Sequence, residues 1–347
     1  MASLPPEPLV VQRMREFKAL LLAREQLQMQ EMAKRWLGVE QALEAQITAL
    51  AEQAAAQAAE GKPLTEAQLF RMERYRSLLT QTTEQFNQYA GYADAEITRQ
   101  QAALARMGID HSEQAIQLSY WEGGRMGVYF NRLPVEAVET MIGLAGNGAP
   151  IGELLKLRMV QDDAGNPMPG VWDRLTRHLI EGTALGRNPR DTARLMRDDL
   201  TGGLQKALVI ARSEQLRVYR MASVEAYRES GVVTGMKRLS AHDARVCAAC
   251  LADDGRLYGL NEAITDHPNG RCTGVPVVKG LQQANWTAGE EWFKRQDEAT
   301  QMAILGQDYF DAWRGGAFAF GDLTTHTRDA TWGGGIAVTP LAALVGR

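Results

Sequence analysis

Cysteine is almost absent from this chain, with three in 347 residues alongside five histidines. So small and odd a number excludes a secreted disulfide scaffold. An excess of positive charge is missing too: 38 Lys and Arg stand against 42 Asp and Glu, a formal net of −4. A protein whose main task is gripping nucleic acid carries a basic excess or stripe, so non-specific DNA binding is not the default and only a local basic surface stays open. No apolar run is long enough to span a bilayer, and MASLPPEPLVVQRMREF lacks the charged-then-apolar build of a signal segment. The expected setting is a cytosol, or a particle assembled in one, with no membrane anchor. The length calls for two or more domains with ample material for a core.

The few cysteines are not scattered. Cys247, Cys250 and Cys272 all fall in DARVCAACLADDGRLYGLNEAITDHPNGRCTGVP, residues 243–276, together with His267. The spacing is C-x2-C, sixteen residues, then H-x4-C. Three thiols and one imidazole fill the four tetrahedral positions of a structural zinc, the C-x2-C knuckle giving two ligands and a second loop the others. The competing reading is a cluster of small buried thiols with a hydrogen-bonded histidine. Between the two ligand pairs, Asp253-Asp254-Gly255 is a turn signal, and Leu257 and Tyr258 start a returning strand.

The remaining chain reads mainly as helix. From Val11 to Ala59, Leu22, Met29, Trp36, Leu43 and Leu50 recur every seven residues, with Met32, Val39, Ile47 and Ala54 on the adjoining row. Gly61-Lys62-Pro63 breaks this helix. A second follows from Thr65 to Met107, with Met72, Leu79, Phe86 and Ala93 in one row and Leu69, Ala90, Ile97 and Leu104 in the next. The pair predicts an antiparallel hairpin with arms of about 60 to 75 Å. Residues 108–200 predict shorter helices, starting at Pro134-Val135-Glu136 and Asn188-Pro189-Arg190-Asp191, with loops at Gly146 to Pro150 and Gln161 to Pro169. After Gly202-Gly203 a long helix, Leu204 to Ser230, ends at Gly231. It carries Arg212 and Glu214, either a buried cluster locking it to the next element or a solvated face. Val232 to Leu239, Arg256 to Tyr258 and Gly274 to Val278 form a small antiparallel sheet. One or two short helices bear Trp292, Phe293, Phe310 and Trp313 as core or docking contacts, and the Gly333-Gly334-Gly335 run with the last dozen residues reads as mobile.

The fold class is therefore α+β, mainly α with a small antiparallel β element. Its expected divisions are an N-terminal arm and long helical hairpin (1–110), a helical domain (111–231), a small β subdomain with the Cys/His cluster (232–280), and C-terminal helices with a tail (281–347).

Several of these residues carry a resemblance. Asp243, Arg245, Val246, Cys247, Cys250, Asp254, Gly255, His267, Pro268, Asn269, Arg271 and Cys272 resemble the C-terminal signature of the phage minor head proteins, the Mu F-like head morphogenesis family. YFNRLPVEAVETMIGLAGNGAPIGELL, EGTALGRNPRDTARLM and Ala211-Arg212-Ser213-Glu214 are similar to it as well, so the likeness runs with gaps from about Tyr120 to Asp322. The chain departs at Gly270, where that family usually has a further cysteine, which leaves Cys272 as the fourth candidate ligand. The resemblance implies a structural virion protein rather than an enzyme. It would sit inside the capsid at the portal vertex, with the portal protein, other capsid components and packaged DNA as partners. The alternative is an HNH-like metal-dependent nuclease, in which a C-x2-C knuckle precedes Asp266 and a general-base His267. Such a site needs further ligands downstream; Asn285 stands near a suitable place, but Lys294 occupies the next and no His follows until His326. A free-standing zinc adaptor leaves the two hundred upstream helical residues without a use.

Overall fold

The computed structural model describes residues 6–59, 64–124, 138–159, 169–262, 264–329 and 332–346. The Gly61-Lys62-Pro63 break, the Pro134-Val135-Glu136 helix start and all but the last residue of the Gln161 to Pro169 loop lie outside them, as do the first five residues of the N-terminal arm. Two long helices open the chain, α1 (Leu9–Ala58) and α3 (Glu73–Glu122), with a short α2 (Glu66–Arg71) between them. Thr65 caps α2 through a capping box with Gln68. The heptad rows are buried as expected at Met29, Trp36, Leu43, Leu50, Phe86, Ala93 and Ile97. Leu22 and Leu79 are only half-buried, and Leu21 and Leu78 take their places. A straight helix drifts against a seven-residue row, which moves the contact by one position at the ends.

Then come α4 (Ile151–Met159), α5 (Pro169–Ala184) and α6 (Pro189–Glu229). The break expected at Gly202-Gly203 is absent, and α6 runs through it. Gly203 is needed there for space: a Cβ would lie 2.8 Å from the Trp36 ring and 3.2 Å from Phe86. Gly231, at φ +63°, ends α6 as expected.

The chain packs as two compact units. One comprises Met1–Arg24, Arg99–Gly148 and Arg212–Arg347, the other Glu25–Thr98 and Ala149–Ala211. In the second, Tyr89 donates to the Met32 carbonyl at 3.0 Å and Tyr75 bonds Thr176 at 2.6 Å. In the first, the start of α1 (Val10, Val11, Met14, Phe17) packs with Leu239, Val275 and Trp286, and Phe17 stacks on His111 with ring centres 3.6 Å apart.

The first unit also holds the sheet. Strands β1 (Val233–Leu239), β2 (Leu257–Gly259) and β3 (Thr273–Val278) are antiparallel in the order β2-β1-β3. β3 is an edge strand, which is why Pro276, with no N–H to give, is tolerated opposite Met236. Helix α7 (Ala248–Ala252) crosses from β1 to β2. Beyond the sheet, α8 (Gly289–Lys294), α9 (Glu298–Leu305) and α10 (Gln307–Arg314) lead to a 3-10 turn, Phe320–Leu323. Phe293, Phe310, Phe320 and Leu323 are core rather than docking surface, packed with Ala249, Cys250 and Cys272. Fully burying each such side chain stabilises by about 1.5–3 kcal/mol.

The expected mobile tail is corrected. Strands β4 (Thr324–Asp329) and β5 (Gly333–Val338) pair as an antiparallel hairpin, followed by a short helix, Leu341–Leu344. The glycine run is a close-approach surface: a Cβ on Gly334 would lie 3.1 Å from the Thr265 methyl, and one on Gly335 3.2 Å from the Asp266 carbonyl. The architecture is thus mostly helical with small antiparallel β elements, the Cys/His cluster lying beside the three-stranded sheet. No helix among the described residues is long and apolar enough to cross a membrane.

Candidate metal centre

Two loops bring the sequence candidates near Cys250, Cys247 and His267 sharing one group with it and Cys272 another. The first leaves β1, turns at Asp243, and ends at Cys247, the residue before α7; Cys250 follows one turn later, 3% exposed. Its two intervening residues, Ala248 and Ala249, are small and buried, so the knuckle closes tightly against the core. The second loop joins β2 to β3 and carries His267, with Cys272 directly before β3. Arg271 clips the loops together, donating to both carboxylate oxygens of Asp243 at 2.9 and 3.1 Å and to the Arg245 carbonyl at 3.1 Å.

Two groups of metal-capable atoms result, Cys247–Cys250–His267 and Cys250–Asp266–Cys272, in each of which the ligand atoms lie within 4.8 Å of one another. Thiolates on one tetrahedral zinc stand about 3.8 Å apart, from Zn–S of about 2.3 Å. Cys250 is common to both groups, and the donor set, soft sulfur with imidazole, suits zinc. His267 Nδ1 faces the Pro268 carbonyl at 2.7 Å. A carbonyl only accepts, so Nδ1 carries a proton and Nε2 is the nitrogen free to ligate.

Two of the three thiols are biased toward the thiolate that a cation needs. Cys247 is pulled down to about 4, chiefly by a hydrogen bond from Cys250 and further by His267, against the opposing effect of burial. His267 is pushed up to about 9, first by its hydrogen bond with Cys247 and then by the Asp266 charge, while burial opposes. The Cys250 thiol is raised by its hydrogen bonds to Cys247 and Cys272 and by burial. Cys272 is lowered, chiefly by Cys250 and also by Arg238, although burial opposes. The shifts pull Cys247 and His267 toward a thiolate–imidazolium pair, from which the Nε2 proton leaves when a metal binds.

Spacing did not reveal the charged support beneath. Arg238 is fully buried at the end of β1 and donates to the Thr265 carbonyl (2.7 Å), Asp266 (3.1 Å) and Cys250 Sγ (3.6 Å). Asp266, also fully buried, accepts from the His267 and Cys272 amides at 3.0 and 3.1 Å. Burial pushes its carboxyl up, but Arg238 and Arg220 more than offset this and hold it low. Asp254, matched as a turn residue, is a buried hub accepting from the Ser240 amide (2.6 Å) and Trp286 (3.0 Å) and bonded to His242 (3.1 Å). The Arg212–Glu214 segment is a locked cluster rather than a solvated face: Glu214 pairs with Arg217 at 2.6 Å and accepts from the Gly146 amide, and Ser213 accepts from the Asn269 amide. The strand VTGMKRL, with Lys237 beside Arg238, carries no signal that Arg238 is the buried one.

A cavity of about 340 Å³ opens beside this centre, lined by Ser213, Arg217 and Arg220 of α6 and by Asp266, His267 and Trp332 among others. The downstream residues weighed for a nuclease are not gathered here. Asn285 lines a different cavity with Pro8 and Gln282, Lys294 pairs with Glu290 at 2.6 Å on the surface, and His326 bonds Arg256 at 2.6 Å.

The expectation that the chain is not an enzyme is corrected by this geometry. Two overlapping groups of thiol, imidazole and carboxylate could hold a metal ion, so a firm exclusion of enzyme chemistry does not stand. The zinc expectation stands at the level of a Cys/His/Asp cluster able to coordinate such an ion. No family model matches the chain, and neither a curated protein nor a solved structure does.

Proposed function

We propose that the chain binds one zinc ion in the cluster of Cys247, Cys250, His267 and Cys272, and that this centre serves nuclease-like, metal-dependent chemistry on a phosphodiester. The observation that carries the reading is the place of His267: it converges with Cys247 and Cys250 and also lines the cavity that holds Arg217, Arg220 and Arg228. Cys247, Cys250 and His267 form one group and leave a fourth position, the arrangement of a catalytic zinc; Cys272, in the other group, closes it only when it joins them. A zinc ion with an open position supplies a water that ionises near neutral pH. The residues of the chain then do the rest: guanidinium groups pair with phosphate oxygens, and Trp332 is among the residues that line the cavity. Because the HNH-type partners Asn285 and His326 lie elsewhere, the catalytic groups would come from the cavity wall itself. The test is incubation of the zinc-loaded chain with plasmid DNA, with and without Mg²⁺ or Mn²⁺. Cleavage that disappears in His267→Ala and survives in Lys294→Ala supports the reading; intact plasmid with fully loaded protein opposes it.

A second reading is a phage minor head protein at the portal vertex, with portal and capsid components as partners. It is favoured by what the signature residues outside the ligands do here. Asp243, Asp254 and Arg271 tie the two ligand loops and the sheet together, so the signature reads as that of a folded module. Mass spectrometry of purified particles from a host carrying the gene tests it, since a virion component must be present in them at stoichiometric level.

A further inference from the structure

We propose that Asp266 is the positioning residue of the metal centre: its carboxylate shapes the loop bearing His267 and Cys272, and it fills the space that any side chain at position 270 would need. This rests on the reading of Cys247, Cys250, His267 and Cys272 as ligands and goes beyond it, because it says what holds the second pair in place and why residue 270 is glycine.

A Cβ built on Gly270 would lie 2.0 Å from Asp266 Cγ and 2.2 and 2.3 Å from its two oxygens. No side chain tolerates that approach, and the carboxylate has nowhere to retreat. One oxygen accepts from the His267 amide and from Arg238, the other from the Cys272 amide, and Arg220 stands 3.6 Å away while also donating to the Gly270 carbonyl at 3.3 Å. The two amides belong to the two ligand residues, so one carboxylate fixes the ends of the whole H-x4-C turn. Conformation is not what demands the glycine. Asn269 is the residue with positive φ, +66°, while Gly270 is not among the positive-φ glycines. The requirement at 270 is therefore steric, and Asp266 imposes it.

The carboxylate also stands 3.5 Å from Cys250 Sγ, where it accepts from the thiol. Once that thiol ionises to bind a metal, the contact becomes one between two anions. The Arg238 guanidinium, which reaches both atoms through Nη2, offsets it. The carboxylate lies within ligand range of Cys250 and Cys272, but both its oxygens are taken up by the two amides and Arg238; Asp266 and Arg238 thus act on the ligands, as outer partners of metal sites do.

The test is a double-substitution cycle in the full chain: Gly270→Ala, Asp266→Ala and the two combined. It is read by Co²⁺ titration at the thiolate-to-cobalt absorption and by melting in excess chelator. Gly270→Ala alone should weaken Co²⁺ binding about 10-fold or more, the usual range for losing an outer partner, and lower the chelated melting temperature. On the Asp266→Ala background it should cost almost nothing further. A neutral Gly270→Ala, or an equal penalty on both backgrounds, overturns the proposal. Should Asp266→Ala fail to fold, amide exchange in Gly270→Ala decides: the His267 and Cys272 amides must lose protection while those of β1 keep theirs, and unchanged protection refutes it. Wild-type chain that binds no Co²⁺ or Zn²⁺ removes the metal reading alone, since the chelated melting cycle still judges the antagonism between 266 and 270.

Discussion

Replacing Arg238 by Met should be among the most damaging single changes in the chain. The side chains of Arg238 and Asp266 are both 0% exposed and meet at 3.1 Å. Removing the guanidinium leaves the buried Asp266 carboxylate with only the more distant Arg220 (3.6 Å) and His267 (3.8 Å), and leaves the Thr265 carbonyl without the donor that now sits at 2.7 Å. Breaking a buried pair by deleting one partner costs about 3–5 kcal/mol. Against a total stability on the order of 5–15 kcal/mol, that is a large share, and it corresponds to a melting shift on the order of 10 °C. Asp266→Asn added to Arg238→Met should recover part of the loss, because the stranded charge is removed while the amide keeps the volume against Gly270. The assay is urea and thermal unfolding of the full chain with chelator present, so that bound metal does not contribute. A loss below about 1 kcal/mol, or a double variant as unstable as the sum of the singles, would refute the reasoning.

Two further outcomes follow from the same contacts. In chelated protein the His267 ring should titrate near 9, followed by its NMR proton shifts, and Cys247→Ser should bring it back toward its ordinary value near 6.5, because the hydrogen bond to Cys247 is the largest cause of its rise. With its folded value above the unfolded one, the histidine's contribution is complete below about 6.5 and lost as pH rises through about 9, whereas that of Cys247, lowered to about 4, is lost as pH falls through about 4; a ring titrating at 6.5 or lower in wild type contradicts it. Among helical glycines, Gly203→Ala should destabilise by about 1–3 kcal/mol through overpacking, since its Cβ would meet Trp36 at 2.8 Å. Gly38→Ala and Gly91→Ala, with nothing within 4 Å, should each stabilise by about 0.5–1 kcal/mol, and denaturation midpoints that rank these otherwise speak against the packing described.

Much of the fold is legible in the sequence because its signals are local. Seven-residue rows place Trp36, Leu43, Phe86 and Ile97 in the core before any contact is known, and β-branched runs around Val233 and Val275 read directly as strands. The clustering of three cysteines near His267 locates the candidate centre for the same reason. What stays hidden depends on tertiary neighbours. Nothing in VTGMKRL says that Arg238 is buried under Asp266, and Asp254 reads as a turn residue until Ser240, His242 and Trp286 are seen around it. Glycine is ambiguous for the same reason. Gly202-Gly203 suggests a helix break and Gly333-Gly334-Gly335 a loose tail, yet one admits two aromatic rings and the other lets a hairpin pass against the metal loop. The assembly of two packing units from separate stretches, with α1, α3 and α6 divided between them, has no local signature at all.

The central claim is that Cys247, Cys250, His267 and Cys272 hold a metal ion, and metal content measures it most directly. Elemental analysis of the full chain, purified without a His tag, should find about one zinc per protein, the stoichiometry of a single four-coordinate site. Chelator should lower the melting temperature, because binding energy at such a site is folding energy. Cys247→Ser and Cys272→Ser should each lose the ion. Protein that comes out metal-free, takes up no added zinc and melts identically with and without chelator would contradict the account and leave the cluster as packed thiols beside a hydrogen-bonded histidine.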